Sequence, residues 1–183
     1  DGLASGVSAI AALVIFVLSI SPGVDQPLVA LIAIILAGSA LGFLPFNFYP
    51  ARIFMGDSGA YFLGLMLAML AIYSGGKLAT ALLVLGFAIL DAIWAAIRRI
   101  SRGVHPFSSD REHLHHLMLA AGMSQRRAVL ALYLLAACFG AVALMASSLY
   151  KMIALIVLVG VVIAMISILA RVGKNRDLDK DSA

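Results

Sequence analysis

Leu28-Val-Ala-Leu-Ile-Ala-Ile-Ile-Leu-Ala-Gly-Ser-Ala-Leu-Gly-Phe-Leu-Pro-Phe46 runs for nineteen residues without a charge. At 1.5 Å per residue such a helix is about 28 Å long, close to the thickness of a bilayer's hydrocarbon core. A single proline near its end is tolerated in a spanning helix. Five further stretches read the same way, at 3–20, 60–73, 78–97, 128–147 and 152–170. The run at 60–73 is short for a span, so its helix is expected to begin in the preceding loop. The chain as a whole is 63% apolar and 12% charged, whereas soluble domains are nearer half apolar and a quarter charged. The expected fold is therefore all-α and polytopic, with about six transmembrane helices.

Residues 1–172 read as one transmembrane helical domain. Residues 173–183 mix charges of both signs and carry one large apolar residue, Leu178, and they read as a disordered cytoplasmic tail. The chain opens on Asp1 with no methionine and no basic leader, which suggests a fragment of a longer polypeptide. The single cysteine, Cys138, lies inside an apolar run and reads as a free thiol.

Charge sets the expected orientation. With six spans and both ends on one side, that side carries Arg52, Arg98, Arg99, Arg102, Arg111, Arg126, Arg127, Arg171, Lys174, Arg176 and Lys180. The opposite side carries Lys77 and Lys151. Eleven cations against two is a strong positive-inside bias, and it assigns the termini and the 47–59 and 98–127 loops to the cytoplasm. The net charge of +4 thus reports topology, and no nucleic-acid partner is expected. Trp94, near the cytoplasmic end of its run, reads as an interfacial anchor.

Two cytoplasmic loops hold residues suited to chemistry. In the first, Asn47-Phe-Tyr-Pro-Ala-Arg-Ile-Phe-Met-Gly-Asp-Ser-Gly59, two glycines bracket Asp57 and Ser58. Gly56 and Gly59 permit tight turns and close approach of a ligand. Asp57 offers hard oxygens of the kind Mg²⁺ prefers, in sites built from one or two carboxylates plus substrate phosphates. Ser58 can cap the next helix and leave N–H groups for an anion. The competing reading makes Asp57 and Ser58 a simple helix cap, with Arg52 reaching for headgroups. Pro50, Phe54 and Met55 read as loop packing.

The second loop, His105-Pro-Phe-Ser-Ser-Asp-Arg-Glu-His-Leu-His-His116, contains all four histidines. Helical spacing would put His113 and His116 on one face and His115 on another. Imidazole and guanidinium groups can hold a diphosphate and stabilise phosphoryl transfer. Zinc is the competing idea, but the spacing matches neither His-Glu-x-x-His nor His-x-x-Glu-His. Asp91 lies within an apolar run, seven residues before Arg98. A buried acid there is a functional candidate by default, and either a bond to a neighbouring helix or a reach into the cytoplasmic site would explain it.

Together these loops resemble the polyprenyl-phosphate N-acetylhexosamine-1-phosphate transferases. Residues 50–59 match the family's Pro-Ala-Lys/Arg-x-Phe-Met-Gly-Asp-Ser/Thr-Gly loop, and residues 109–116 its histidine motif. Asp1-Gly-Leu-Ala resembles the second half of its Asp-Gly-Leu-Asp-Gly-Leu-Ala motif. The peptidoglycan-precursor translocases tend to have three consecutive histidines. Asp-Arg-Glu-His-Leu-His-His looks more like the transferases that use UDP-N-acetylglucosamine and undecaprenyl phosphate. The resemblance implies a bacterial inner-membrane enzyme, Mg²⁺-dependent, releasing UMP and starting a cell-envelope polysaccharide, with a homodimer among its assemblies. It implies catalytic roles for Asp57, His113, His115 and His116, the metal on Asp57, and substrate contacts from Asp1, Asn47, Ser58 and Arg111. Family members have about ten or eleven spans and an acidic pair in their first half. The chain therefore corresponds to a C-terminal half, expected to be inactive alone. The alternatives are a phospho-N-acetylmuramoyl-pentapeptide translocase, or a non-enzymatic transporter or structural subunit.

Overall fold

The computed structural model describes residues 1–74, 78–101, 103, 105 and 113–181. Among the described residues seven helices follow one another: α1 Leu3–Ser19, α2 Pro27–Asn47, α3 Gly56–Tyr73, α4 Leu78–Ser101, α5 Leu114–Ala120, α6 Gln125–Met145 and α7 Ser148–Asp181. Among the described residues there is no strand. The start of α3 at Gly56 falls inside the 47–59 loop, as the short third run implied. The backbone of α7 continues to Asp181, into the stretch read from sequence as a tail.

Among the described residues five helices are long and apolar enough to cross a membrane, namely α2, α3, α4, α6 and α7. Helix α1 is apolar but only 17 residues long. Its ends show what it spans. The Gly2 N–H donates to Asn47 Oδ1 at the last residue of α2 (3.1 Å), and the Gln26 N–H, just before α2, donates to the Ser19 carbonyl (2.9 Å). The two helices are thus antiparallel and co-extensive, so α1 runs beside α2 from end to end.

Helix α1 is short because it is the centre of the bundle. It packs against α2, α3, α4 and α6. It buries Ser5, Gly6, Ser8, Ala9, Ala11 and Ala12, together with larger apolar residues. A run of small residues lets neighbouring backbones approach closely, which is how helices gain contact where lipid is as apolar as leucine. Gly140 of α6 meets α1 in this way, since a Cβ there would stand 2.8 Å from Val14. The outer helices show the reverse pattern. Leu28, Leu31 and Ile35 of α2 and Ile156 of α7 are exposed, as a lipid-facing surface requires.

Gly6 is the tightest of these contacts. A methyl there would overlap the Tyr133 ring, and that ring is tethered because its hydroxyl donates to the Gly2 carbonyl. Gly6→Ala is therefore expected to destabilise the bundle by about 1–3 kcal/mol, the usual effect of overpacking. A lower thermal midpoint of the detergent-solubilised protein would register it. Gly38→Ala is the control, because nothing lies within 4 Å of a Cβ there. Equal midpoints for the two variants would mean that Tyr133 is not wedged against α1.

Candidate active site

Alternation of the helices brings the start of α1, the end of α2, the start of α3 and the start of α6 to one end of the bundle. Asn47 ties the first three together. Its Oδ1 accepts from the Gly2 N–H and from the Ser5 hydroxyl (2.9 Å), and its Nδ2 donates to the Ile53 carbonyl (3.0 Å). Asn47 is buried, and a buried amide requires such partners. It therefore clamps Asp1-Gly2 against the loop that leads to Asp57. Arg126, at the start of α6, closes the ring by donating from Nε to the Tyr49 carbonyl (3.1 Å).

A cavity of about 800 Å³ opens at this end, within the size range of small-molecule sites. Asp1, Asn47, Asp57 and His115 all line it, and its deeper wall is apolar, with Leu67, Leu85, Phe87 and Ile89. Asp57 is exposed, in the first turn of α3. The competing cap reading fails on geometry. The N-cap position is Met55, and no side-chain hydrogen bond closes it. Gly56 adopts φ +68 at this point, a turn that favours glycine. Ser58 is exposed and not part of the cavity lining.

The histidines sit differently from the helical-face expectation. His113 is the N-cap of α5 with extended backbone, φ −68 and ψ 156. The i,i+3 relation to His116 therefore does not apply, because helical spacing starts only at Leu114. The His113 and His115 rings lie nearly parallel, with centroids 6.2 Å apart, and the His115 and His116 centroids are 4.1 Å apart. Of the three, His115 is the one that lines the cavity. Burial, and then the neighbouring His116, push its imidazole from 6.5 down to about 4, while Asp91 pulls the other way. His115 is thus a neutral ring at ordinary pH, offering one N–H donor and one lone pair. Arg111 lies outside the described residues. Among the described residues no group of three His, Cys, Asp or Glu side chains gathers as a metal cage.

Two residues at this end, Gln125 and Tyr133, escaped the sequence reading, and a third, Asp91, was marked there without its partner. Asp91 proves to bond His113, with Nδ1 to Oδ2 at 3.0 Å, and to accept the Leu114 N–H at 2.7 Å. Gln125 lines the cavity at the start of α6, where a polar residue gives no distinctive signal. Tyr133 acts on Gly2 across the whole chain, and nothing local points to it.

The fold and the cavity define a polytopic membrane protein with carboxylates and an imidazole converging at one end of its bundle. Residues 1–75 match the model of glycosyl transferase family 4. A probable undecaprenyl-phosphate N-acetylglucosaminyl 1-phosphate transferase of Bacillus subtilis (strain 168) is 37% identical over 154 residues, covering 81% of this chain and 42% of the relative. A decaprenyl-phosphate N-acetylglucosaminephosphotransferase of Mycobacterium leprae (strain TN) is 41% identical over 159 residues, covering 73% and 39%. A phospho-N-acetylmuramoyl-pentapeptide-transferase of Pelotomaculum thermopropionicum is 36% identical over 158 residues, covering 84% and 46%. The likeness to glycosyl transferase family 4 lies in the N-terminal part of the chain. The chain spans about two-fifths of the length of the first two of these relatives.

Proposed function

We propose that the protein carrying this chain transfers N-acetylglucosamine-1-phosphate from UDP-N-acetylglucosamine to a polyprenyl phosphate. An oxygen of the lipid phosphate attacks the β-phosphorus, the bond from that phosphorus to the bridging oxygen breaks, and UMP leaves. The lipid retains a diphosphate-linked sugar. One observation carries this reading: Asp57 of α3 and His115 of α5 line one cavity together with Asp1 and Asn47. The names of the Bacillus and Mycobacterium relatives support the same reaction class.

The donor set fits Mg²⁺. Asp57 and Asp1 are hard carboxylates on the cavity wall, and this ion typically takes one or two carboxylates and completes its shell with phosphate oxygens and water. When bound, it would neutralise charge on the diphosphate. Asp57 would hold it, with Asp1 beside the nucleotide. Neutral His115 would donate its N–H to a phosphoryl oxygen, where an oriented donor counts most in the transition state. His116 and Arg111 would bind further phosphate oxygens, and Ser58 would contact the nucleotide from outside the cavity. Asn47 would act on substrate through the Asp1–Gly2 turn that it fixes. The apolar wall of Leu67, Leu85 and Phe87 suits the first isoprene units of the acceptor.

We place this end of the bundle in the cytoplasm, on the eleven-to-two distribution of cations. A sugar nucleotide does not cross a bilayer, which joins chemistry and orientation in one test. Membranes bearing the complete protein, given UDP-N-acetylglucosamine and Mg²⁺, are expected to form lipid-linked sugar in inverted vesicles and not in sealed right-side-out ones. Product in right-side-out vesicles alone would reverse the orientation, and product in neither would overturn the activity. The Pelotomaculum relative supports a second reading, with a muramoyl-pentapeptide donor. Substituting that nucleotide in the same assay separates the two.

A further inference from the structure

Asp91 is an acid well inside a membrane-length helix, ten residues before the end of α4. A carboxylate there is costly unless both oxygens are occupied. They are occupied by a single short segment. Oδ1 accepts the Leu114 N–H at 2.7 Å, and Oδ2 faces His113 Nδ1 at 3.0 Å. His113 stands at the N-cap of α5 yet makes no capping bond with its own side chain. The acceptor that begins α5 is thus supplied from another helix. Asp91 is 15% exposed and His113 31%, so the carboxylate is the better shielded of the two.

The consequences run in one direction. With the carboxylate oxygen as acceptor, Nδ1 of His113 is the donor of this contact. The His113 ring lies nearly parallel to His115, and His115 lines the cavity. Two bonds from one carboxylate therefore fix the ring state of His113, the start of α5 and the direction in which His115 points.

We propose that Asp91 is the positioning residue of the histidine cluster, setting the His113 tautomer and presenting His115 to the substrate phosphates. The effect on turnover rests on the transferase reading above. The structural part does not.

Asp91→Asn separates the two. The amide oxygen keeps the bond to Leu114 N–H, so α5 still starts in place, but the amide nitrogen now meets Nδ1 as a donor. In the complete protein, ¹⁵N NMR of labelled histidine is expected to show His113 moving from the Nδ1–H toward the Nε2–H form. The thermal midpoint should stay near that of the unmodified protein. Turnover is expected to fall about 10- to 100-fold, the usual effect of removing an outer-shell partner, with KM little changed. Asp91→Glu should recover part of the rate by restoring a carboxylate. His113 signals identical in the unmodified and Asn proteins would overturn the contact. A shifted tautomer with full turnover would overturn the positioning role and leave Asp91 as a cap. If the unmodified protein transfers no sugar phosphate at all, the functional reading falls, and the NMR comparison by itself upholds or overturns Asp91's hold on His113.

Discussion

Asp57→Asn in the complete protein is expected to lower sugar-phosphate transfer by on the order of 10³-fold, with insertion and thermal midpoint unchanged. The substitution preserves shape and removes one negative charge. Asp57 is exposed and makes no capping bond at the start of α3, so the fold loses at most a favourable charge near a helix N-terminus, about 0.3–1 kcal/mol. What the site loses is larger. A carboxylate on the cavity wall is the hard-oxygen ligand of the proposed Mg²⁺ site, and an amide oxygen is a weaker one. Transfer assayed across a range of Mg²⁺ concentrations would measure the difference. Full turnover at ordinary Mg²⁺ would reduce Asp57 to a surface charge on α3.

His115→Ala is expected to cost about 10²–10³-fold in turnover, the usual loss when one oriented transition-state donor is removed. The effect should exceed that of His116→Ala, because His115 is the ring that lines the cavity. The pH dependence carries a further mark. Burial and His116 hold the His115 imidazole down at about 4 in the folded protein, so it is neutral above that pH. The kcat/KM profile should therefore show no ionisation of His115 between about pH 5 and 8. Stability follows with a definite sign. A lowered folded pKa favours the neutral ring, so this contribution is complete above the ordinary value of 6.5 and is lost as the pH falls toward 4. A melting midpoint that drops over that interval in the parent protein, and drops less in His115→Ala, is the expected pattern. A His115→Ala enzyme of full activity would remove the histidine cluster from the reaction.

The membrane architecture was legible because it rests on composition at a fixed length scale. The run at 28–46 has the length and composition of a spanning helix, and the shortness of the run at 60–73 put the start of α3 in the preceding loop. Helix α1 was legible as an apolar run, but its central place was not, since it rests on neighbours such as Tyr133 and Gly140 of α6. The candidate residues were legible as types. Hard carboxylates and clustered imidazoles advertise their chemistry wherever they fall. Their mutual arrangement was not legible, for three physical reasons. Whether Asp57 caps its helix depends on where the backbone turns, and Gly56 puts that turn one residue earlier. The facing of the histidines depends on where α5 starts, and a carboxylate from α4 decides that. Whether Asn47 meets a ligand directly depends on what else claims its amide, and Gly2, Ser5 and Ile53 claim it. Each is a long-range contact with no local pattern to betray it.

The central claim is that a phosphorus atom moves together with the sugar. UDP-N-acetylglucosamine labelled with ³²P at the β-phosphate tests this directly when supplied with polyprenyl phosphate and the complete protein. The sugar-phosphate transfer proposed here sends the label into the lipid product and releases unlabelled UMP. Label leaving in UDP, with an unlabelled lipid-linked sugar, would contradict it.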